Sequence, residues 1–538
     1  MKDAISNIEL ERQRLQNLLD RSRNKLERNK LGQFATPYNL AFEIIKCTNE
    51  LLNLTDKISF LDPALGTGSF YSAFLQVIDN ERIDTSFGVE IDKEFASVAE
   101  SLWSSTGLKV INDDFTKLTD NKIIKKVDLL ICNPPYVRHH HLSEMDKTRY
   151  VQLVKSTFGI SVSKLAGLYC HFIFLSHRFI KDNGISVWLV PSEFLDVNYG
   201  AAVKEYLLNY VELIRIHRFN PEDVKFADAL VTSVVIWFKN RKPITDSMVE
   251  FTAGNSILKP SNTIQIERKN LISKEKWSCI FNNGHTVSNN SNAPKIKDLF
   301  YIKRGIATGN NDYFILSEDE IEKKGLPKFF FKPILPSPKF IGSDIIQSDI
   351  DGNPLIFERH FVLDCNLSKD KIDKKFQKLI DYINYGETKG VSLGYICKNR
   401  NPWYSQERRE SPLFVCNYIG RENSTKAFRF ILNKSKSIVT NSYLGLYPKP
   451  AFFKFQKSDP KISIQILEML NSIESNDVIK NGRVYGGGMY KLEPKELENV
   501  ELNLPANFIE YNKPTTQLTL FEPEKSYIAK DEIDSTKY

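Results

Sequence analysis

Asn133–Tyr136 reads Asn-Pro-Pro-Tyr and directly follows the hydrophobic run VDLLIC. That composition suits the task of holding an aromatic amine. The lone pair of an exocyclic amine is delocalised into its ring, so the nitrogen is a poor nucleophile. If the Asn133 side-chain oxygen and the Pro134 carbonyl each accept one amine hydrogen, the nitrogen is held closer to tetrahedral and its lone pair points at an incoming electrophile. Pro134 and Pro135 stiffen the loop, and Tyr136 offers a ring face on which a base can stack. The plain alternative is a rigid turn after a strand, and three upstream segments argue against it.

Phe60–Phe70, FLDPALGTGSF, is a hydrophobic strand that breaks into a glycine-containing turn and then a helix. Such a turn lets a ligand approach the backbone at the carboxyl edge of a sheet. It is not the dinucleotide fingerprint GxGxxG, which would need a glycine where Tyr71 stands. Phe87–Asp92, FGVEID, places Glu90 at the next strand end, where a carboxylate can accept hydrogen bonds from both ribose hydroxyls of an adenosine-containing cofactor. Asn112–Phe115, NDDF, follows at a third: Asp114 can accept from an adenine amine and Phe115 can stack on the ring. Each is weak alone, since carboxylates at strand ends often cap helices. Together, glycine turn, Glu and Asp-Phe at consecutive strand ends describe a nucleoside site beside the Asn-Pro-Pro-Tyr loop.

Two neighbours carry less. His139, His140 and His141 are adjacent, so they cannot all converge on a metal from one strand, and no metal is expected; a loop near nucleic-acid phosphates is the better reading. Cys132 lacks the preceding proline of cytosine-C5 enzymes and reads as a small buried strand residue.

The elements that must position these residues are legible from about 38 to 240. β-rich runs at Ile58–Asp62, Ser86–Ile91, Lys109–Asn112, Val127–Cys132, Ile185–Val190, Leu213–His217 and Val231–Phe238 alternate with helical patterns such as Phe70–Asp79, Glu94–Ser105 and Leu165–Lys181. Alternation of this kind predicts an α/β fold, a doubly wound Rossmann-like sheet. The last two runs have a loop between them and no helix, which predicts an antiparallel strand at one sheet edge. Residues 1–30 place Ile8, Leu15, Leu18, Leu19 and Leu26 at roughly helical spacing, an amphipathic helix expected to pack on the next domain. After about residue 240 the chain turns rich in Asn, Ser, Lys, Pro and aromatics, a second domain of mixed α/β or irregular structure. The resulting division is 1–30, 31–242, 243–510 and a polar tail over 511–538.

The 538 residues exceed one ordinary domain, and 41% hydrophobic with 26% charged residues is a globular composition. The formal net charge of +7 is compatible with a polyanionic partner without requiring one. The 7 cysteines form no CxxC pair, which suits reduced thiols and a cytoplasmic setting. The N-terminus lacks the apolar core of a signal peptide, and no apolar run approaches the roughly 20 residues of a membrane span, so no membrane partner is expected.

With these motifs in hand, the sequence resembles the TaqI-like gamma-class N6-adenine DNA methyltransferases of type II restriction-modification systems. Motif order carries the resemblance: Gly32–Pro37 (GQFATP), then DPALGTGSF, GVEID, DDF and NPPY, with a large target-recognition domain last. It is strong over about residues 30–240 and general elsewhere. It implies an S-adenosylmethionine-dependent enzyme that methylates N6 of a flipped adenine in duplex DNA and protects it from a separate, cognate endonuclease, acting as a monomer. It further implies that Thr36, Asp62, Ala64, Gly66, Gly68, Glu90, Ile91, Asp114 and Phe115 line the cofactor site. Phe172, within LYCHF, joins them as the ring that packs on the cofactor adenine. Asn133, Pro134, Pro135 and Tyr136 are then catalytic, and Phe226, in VKFADALVTSVVIWF, supplies a second face for the extruded base.

In the second domain, Tyr301–Phe314 and Lys398–Arg409 combine basic and aromatic residues, and Thr308-Gly309 and Tyr485–Leu497 resemble family segments. Arg304, Thr308, Arg400 and Arg408 are the candidate DNA contacts, with Arg409 and Arg421 further arginines able to read base edges. Two other readings stay open: an RNA or protein-glutamine N-methyltransferase, whose amide nitrogen could use the same loop, and a non-catalytic DNA-specificity subunit.

Overall fold

The runs of β-branched and aromatic residues form strands buried on both faces, as a sheet covered by helices on each side requires. β1 (Ile58–Asp62) is buried at every residue. In β4 (Val127–Cys132), Leu129 and Ile131 enter one hydrophobic cluster while Leu130 and Cys132 enter the other, the period of two that a strand imposes. The computed structural model describes residues 2–23, 32–53, 57–118, 124–220, 232–283, 293–421, 427–450, 452–453, 461–474, 478, 483–485 and 489–502.

The central sheet has nine strands in the order β3-β2-β1-β4-β5-β7-β6-β8-β9. β2 (Ile83–Val89), β3 (Leu108–Ile111) and β5 (Ile180–Pro191) run parallel to β1 and β4. β7 (Ser233–Lys239) is antiparallel to both its neighbours, β5 and β6 (Glu212–Arg218). β7, from the Val231–Phe238 run, thus lies inside the sheet and not at the edge expected for it. β8 (Met248–Ala253) pairs with β6 and β9 (Asn262–Glu267) with β8, so the sheet continues beyond residue 242 and ends at β9.

One sheet face is covered by α1 (Lys2–Ser22), α2 (Tyr38–Asn49), α3 (Ser69–Val77) and α4 (Lys93–Trp103), which contribute Ile5, Ile44, Phe74 and Trp103 to a common core. The other is covered by α5 (Glu144–Phe158), α6 (Leu168–Ser176) and α7 (Ala201–Asn209), through Val154, Phe172 and Leu207. α1 departs from expectation. Its buried stripe is Ile5, Glu9, Arg12 and Gln16, whereas Leu18 is half exposed.

The C-terminal part is more regular than its composition predicts. β10 (Phe300–Arg304), β13 (Ile345–Ile346), β15 (Phe414–Asn417), β17 (Phe430–Asn433) and β18 (Tyr443–Pro448) form a five-stranded sheet in the order β10-β18-β15-β17-β13. Phe300, Phe414, Phe430 and Leu446 make its core, backed by Ile466 of the helix over Ile462–Ser472. Among the described residues, β11 (Ile315–Ser317), β12 (Phe331–Ile334) and β14 (His360–Leu363) form a smaller sheet, and β16 (Ile419–Arg421), β19 (Arg483–Tyr485) and β20 (Met489–Lys491) another. Among the described residues no helix is long and apolar enough to cross a membrane.

Candidate active site

Parallel neighbours β2, β1 and β4 end on one edge of the sheet, and the motif residues meet there because each follows directly from its strand. After β1 the chain turns through Gly66 and Gly68, both with positive φ, and Gly68 caps α3. The turn is held from several sides. Leu65 N–H donates to the Val89 carbonyl (2.9 Å), Gly66 N–H to Glu90 Oε2 (2.8 Å), and the fully buried Trp103 indole to the Thr67 carbonyl (2.9 Å). Glu90 also accepts from Asp92 N–H at 2.9 Å. Each carboxylate oxygen thus accepts a backbone N–H. Burial holds the Glu90 carboxyl above its ordinary range. Asp62 is buried more deeply, accepts from Ala64 N–H at 3.1 Å, and is pushed up to about 8 by desolvation, with the charge of Glu90 adding to it.

Asn133 stands at the end of β4, and its orientation is determined by what surrounds it. Nδ2 donates to the Phe34 carbonyl and to Thr36 Oγ1, both at 3.0 Å. A carbonyl can only accept, so the amino half of the amide must face it and the oxygen must face away. That oxygen, Oδ1, is buried and has no hydrogen-bond partner among the described residues. The GQFATP segment thus orients the asparagine, and it is fastened in turn: Ser69 Oγ donates to the Thr36 carbonyl (2.8 Å) and Tyr136 N–H to the Gly32 carbonyl (3.1 Å). Tyr136 donates its hydroxyl to Leu189 O (3.2 Å), with its ring 5.7 Å from Phe34 and 6.5 Å from Tyr169. Thr36, Asp62, Ala64, Gly66 and Asn133 line a single cleft, which Arg12 and Gln16 of α1 also enter. Those two were missed in the sequence, where attention fell on the leucines of the helix and not on its polar residues at three- and four-residue spacing.

The other predicted residues, Glu90 among them, are not in the lining of this cleft. Ile91, beside Glu90, is 66% exposed. Asp114 caps the short turn after it, accepting from Thr116 N–H (3.0 Å) and Oγ1 (2.7 Å). Phe115 and Phe172 are buried, their rings 5.3 Å apart within the core. Phe226 lies outside the described residues. In the C-terminal part, Thr308 is buried, and the Arg400 guanidinium donates to the Ala307 (2.6 Å) and Thr308 (2.9 Å) carbonyls, bracing that turn from within. Arg304 lies 4.0 Å over the Tyr418 ring, Arg408 is exposed, and Arg409 pairs with Glu407 at 2.8 Å. The Arg421 side chain lies outside the description.

Known proteins share this architecture. Residues 69–225 match the Eco57I restriction-modification methylase family and residues 269–533 match the C-terminal domain of the type II methyltransferase M.Eco57I. The type II methyltransferase M.XamI of Xanthomonas campestris pv. amaranthicola is 26% identical over 453 residues, 82% of this chain and 80% of that protein. M.AccI of Acinetobacter calcoaceticus is 25% identical over 518 residues, 93% and 90% of the two. The fold of DrdV, solved by cryo-electron microscopy as a DNA complex, superposes with a TM-score of 0.55 at 12% identity, covering 93% of this chain and 58% of that one. Both parts of the chain thus match one methylase type, in its own order, and the chain belongs to the Eco57I-like type II restriction-modification methylases, S-adenosylmethionine-dependent DNA methyltransferases.

Proposed function

We propose that this enzyme methylates N6 of an adenine turned out of duplex DNA, within a short recognition sequence, and so shields that sequence from a cognate endonuclease. The carrying observation is the buried Asn133 Oδ1, without a partner among the described residues, at the head of Asn-Pro-Pro-Tyr. A buried acceptor without a donor is unfavourable by about 1–3 kcal/mol. An adenine amine placed there relieves that penalty, and the Pro134 carbonyl takes its second hydrogen. Thr36 and the Phe34 carbonyl hold the amide so that the oxygen is already aimed before the base arrives, which is where preorganisation lowers a barrier. Tyr136 supplies a ring wall for the base.

The cleft fits the methyl donor. Gly66 has open space where a Cβ would stand, Glu90 has lone pairs left for the ribose hydroxyls, and Ile91 offers an exposed apolar surface beside them. Asp62, the deeply buried acid between the turn and Asn133, suits the donor's ammonium group. When bound, S-adenosylmethionine supplies an electrophilic sulfonium methyl. Asn133 and Pro134 present the amine nitrogen to it without a covalent enzyme intermediate.

The test is nucleoside analysis of host DNA incubated with the purified chain and labelled S-adenosylmethionine. N6-methyladenine is the expected product, and Asn133→Ala should abolish it while S-adenosylhomocysteine still binds. Label in cytosine, RNA or protein would overturn the reading, as would full activity of the variant.

A further inference from the structure

Beyond Ile5, the buried face of α1 is polar. Glu9 and Arg12 are 4% and 3% exposed, while Leu10 on the same helix is 66% exposed and Leu18 50%. A helix held by packing alone would bury its leucines, since desolvating an ion pair is commonly unfavourable against an apolar contact of the same size. The polar stripe therefore has another use, and its contacts indicate which.

Arg12 Nε and Nη2 each donate to the Glu9 carboxylate at 2.7 Å, and Nη1 donates to Thr67 Oγ1 at 3.0 Å. Thr67 in turn donates to Gln16 Oε1 at 2.7 Å. Thr67 is the residue between Gly66 and Gly68, so the helix grips the turn itself. Just past its end, Arg23 donates to Asp92 (3.0 Å) and Glu94 (2.8 Å) at the start of α4. Arg12 is the only basic side chain among the described residues lining the cleft that holds Asp62, Gly66 and Asn133. Three of the five N–H groups of a guanidinium are engaged, leaving two.

Taking the cleft as the donor site, as proposed above, its one acid among the described residues, Asp62, suits an ammonium group and offers a carboxylate no partner. The amino-acid end of S-adenosylmethionine carries both charges, and its carboxylate needs a donor of its own. We infer that Arg12 is a cofactor-binding residue, its two remaining N–H groups taking the carboxylate of S-adenosylmethionine, with Glu9, Gln16 and Thr67 fixing the guanidinium. α1 is then a wall of the cofactor site.

The experiment compares two ligands by calorimetric titration: S-adenosylhomocysteine and its decarboxylated analogue, identical but for the carboxylate. Arg12→Gln should weaken the first by about tenfold or more, the loss of a charge-assisted contact, and leave the second within about twofold. Arg12→Lys, which keeps the cation and loses the fork, should fall between. Equal weakening of both ligands would make Arg12 only a brace for the turn, and no weakening would exclude it; either result overturns the inference. Circular dichroism and Arg12→Lys guard against a misfolded Arg12→Gln. Failure of the wild-type chain to bind either ligand would instead overturn the placement of the donor in this cleft, a result separable from failure of the variant alone.

Discussion

At the scale of single residues, the site is built from polar groups whose burial gives each a definite state. Asp62 shows this best. Desolvation raises its carboxyl from 3.8 to about 8, so the folded chain keeps it protonated through a range in which the unfolded chain ionises it. The folded state therefore binds more protons between those two values, and stability falls as pH rises through that window. An ammonium group arriving beside Asp62 favours the carboxylate, so binding should expel a proton. Titrating S-adenosylhomocysteine near pH 6.5, in buffers of different ionisation enthalpy, should show proton release by the wild type and less by Asp62→Asn. The same variant should lose less stability between about pH 5 and 8 in thermal unfolding. Equal proton release by both proteins would place the ammonium elsewhere.

At the scale of elements, the strand-turn-helix unit after β1 separates two glycines that look alike in sequence. A Cβ at Gly66 (φ +57°) meets nothing within 4 Å, whereas one at Gly68 (φ +92°) meets Trp103 Nε1 at 2.6 Å. Gly66→Ala should therefore cost only the backbone strain of about 1–2 kcal/mol, fold normally, and bind S-adenosylhomocysteine poorly because its methyl enters the cleft. Gly68→Ala adds a collision with a fully buried indole that cannot swing away, and should lose about 2–4 kcal/mol by chemical denaturation. Reversed outcomes would show that the cleft is not where the donor lies. The GQFATP segment makes a related point, because it orients Asn133 through Phe34 and Thr36 across nearly a hundred residues of sequence.

At the scale of the whole molecule, the C-terminal part carries a candidate DNA-binding face distinct from the cleft. Edge strand β10 turns Tyr301 and Lys303 outward, and β18 sets Tyr447 opposite Tyr301. Lys303 lies 5.7 Å from the Tyr447 ring, Lys449 4.8 Å from Tyr301, and Arg304 and Lys491 both approach Tyr418. A basic face interleaved with aromatic rings suits phosphates more than base edges. Lys303→Ala combined with Lys449→Ala should weaken binding to every duplex alike and lower the slope of log affinity against log salt by about 2. An unchanged slope would remove this face from the interface.

How far each level was legible follows from the range of the interactions behind it. The sequence alone determined the first seven strands of the central sheet, whose hydrophobic runs are written residue by residue, and the motifs at their ends, because each candidate side chain follows its strand within a few residues. It also pointed to the donor and to the amine chemistry of Asn-Pro-Pro-Tyr. Tertiary structure decided what depends on distant partners: that β7 lies inside the sheet, that β8 and β9 extend it, and that Arg400 turns inward to the Thr308 turn. It decided as well that α1 buries Glu9, Arg12 and Gln16 instead of its leucines. An amphipathic pattern states which residues can be buried by packing; only the groups across the cleft, here Thr67 and its turn, decide which face is used.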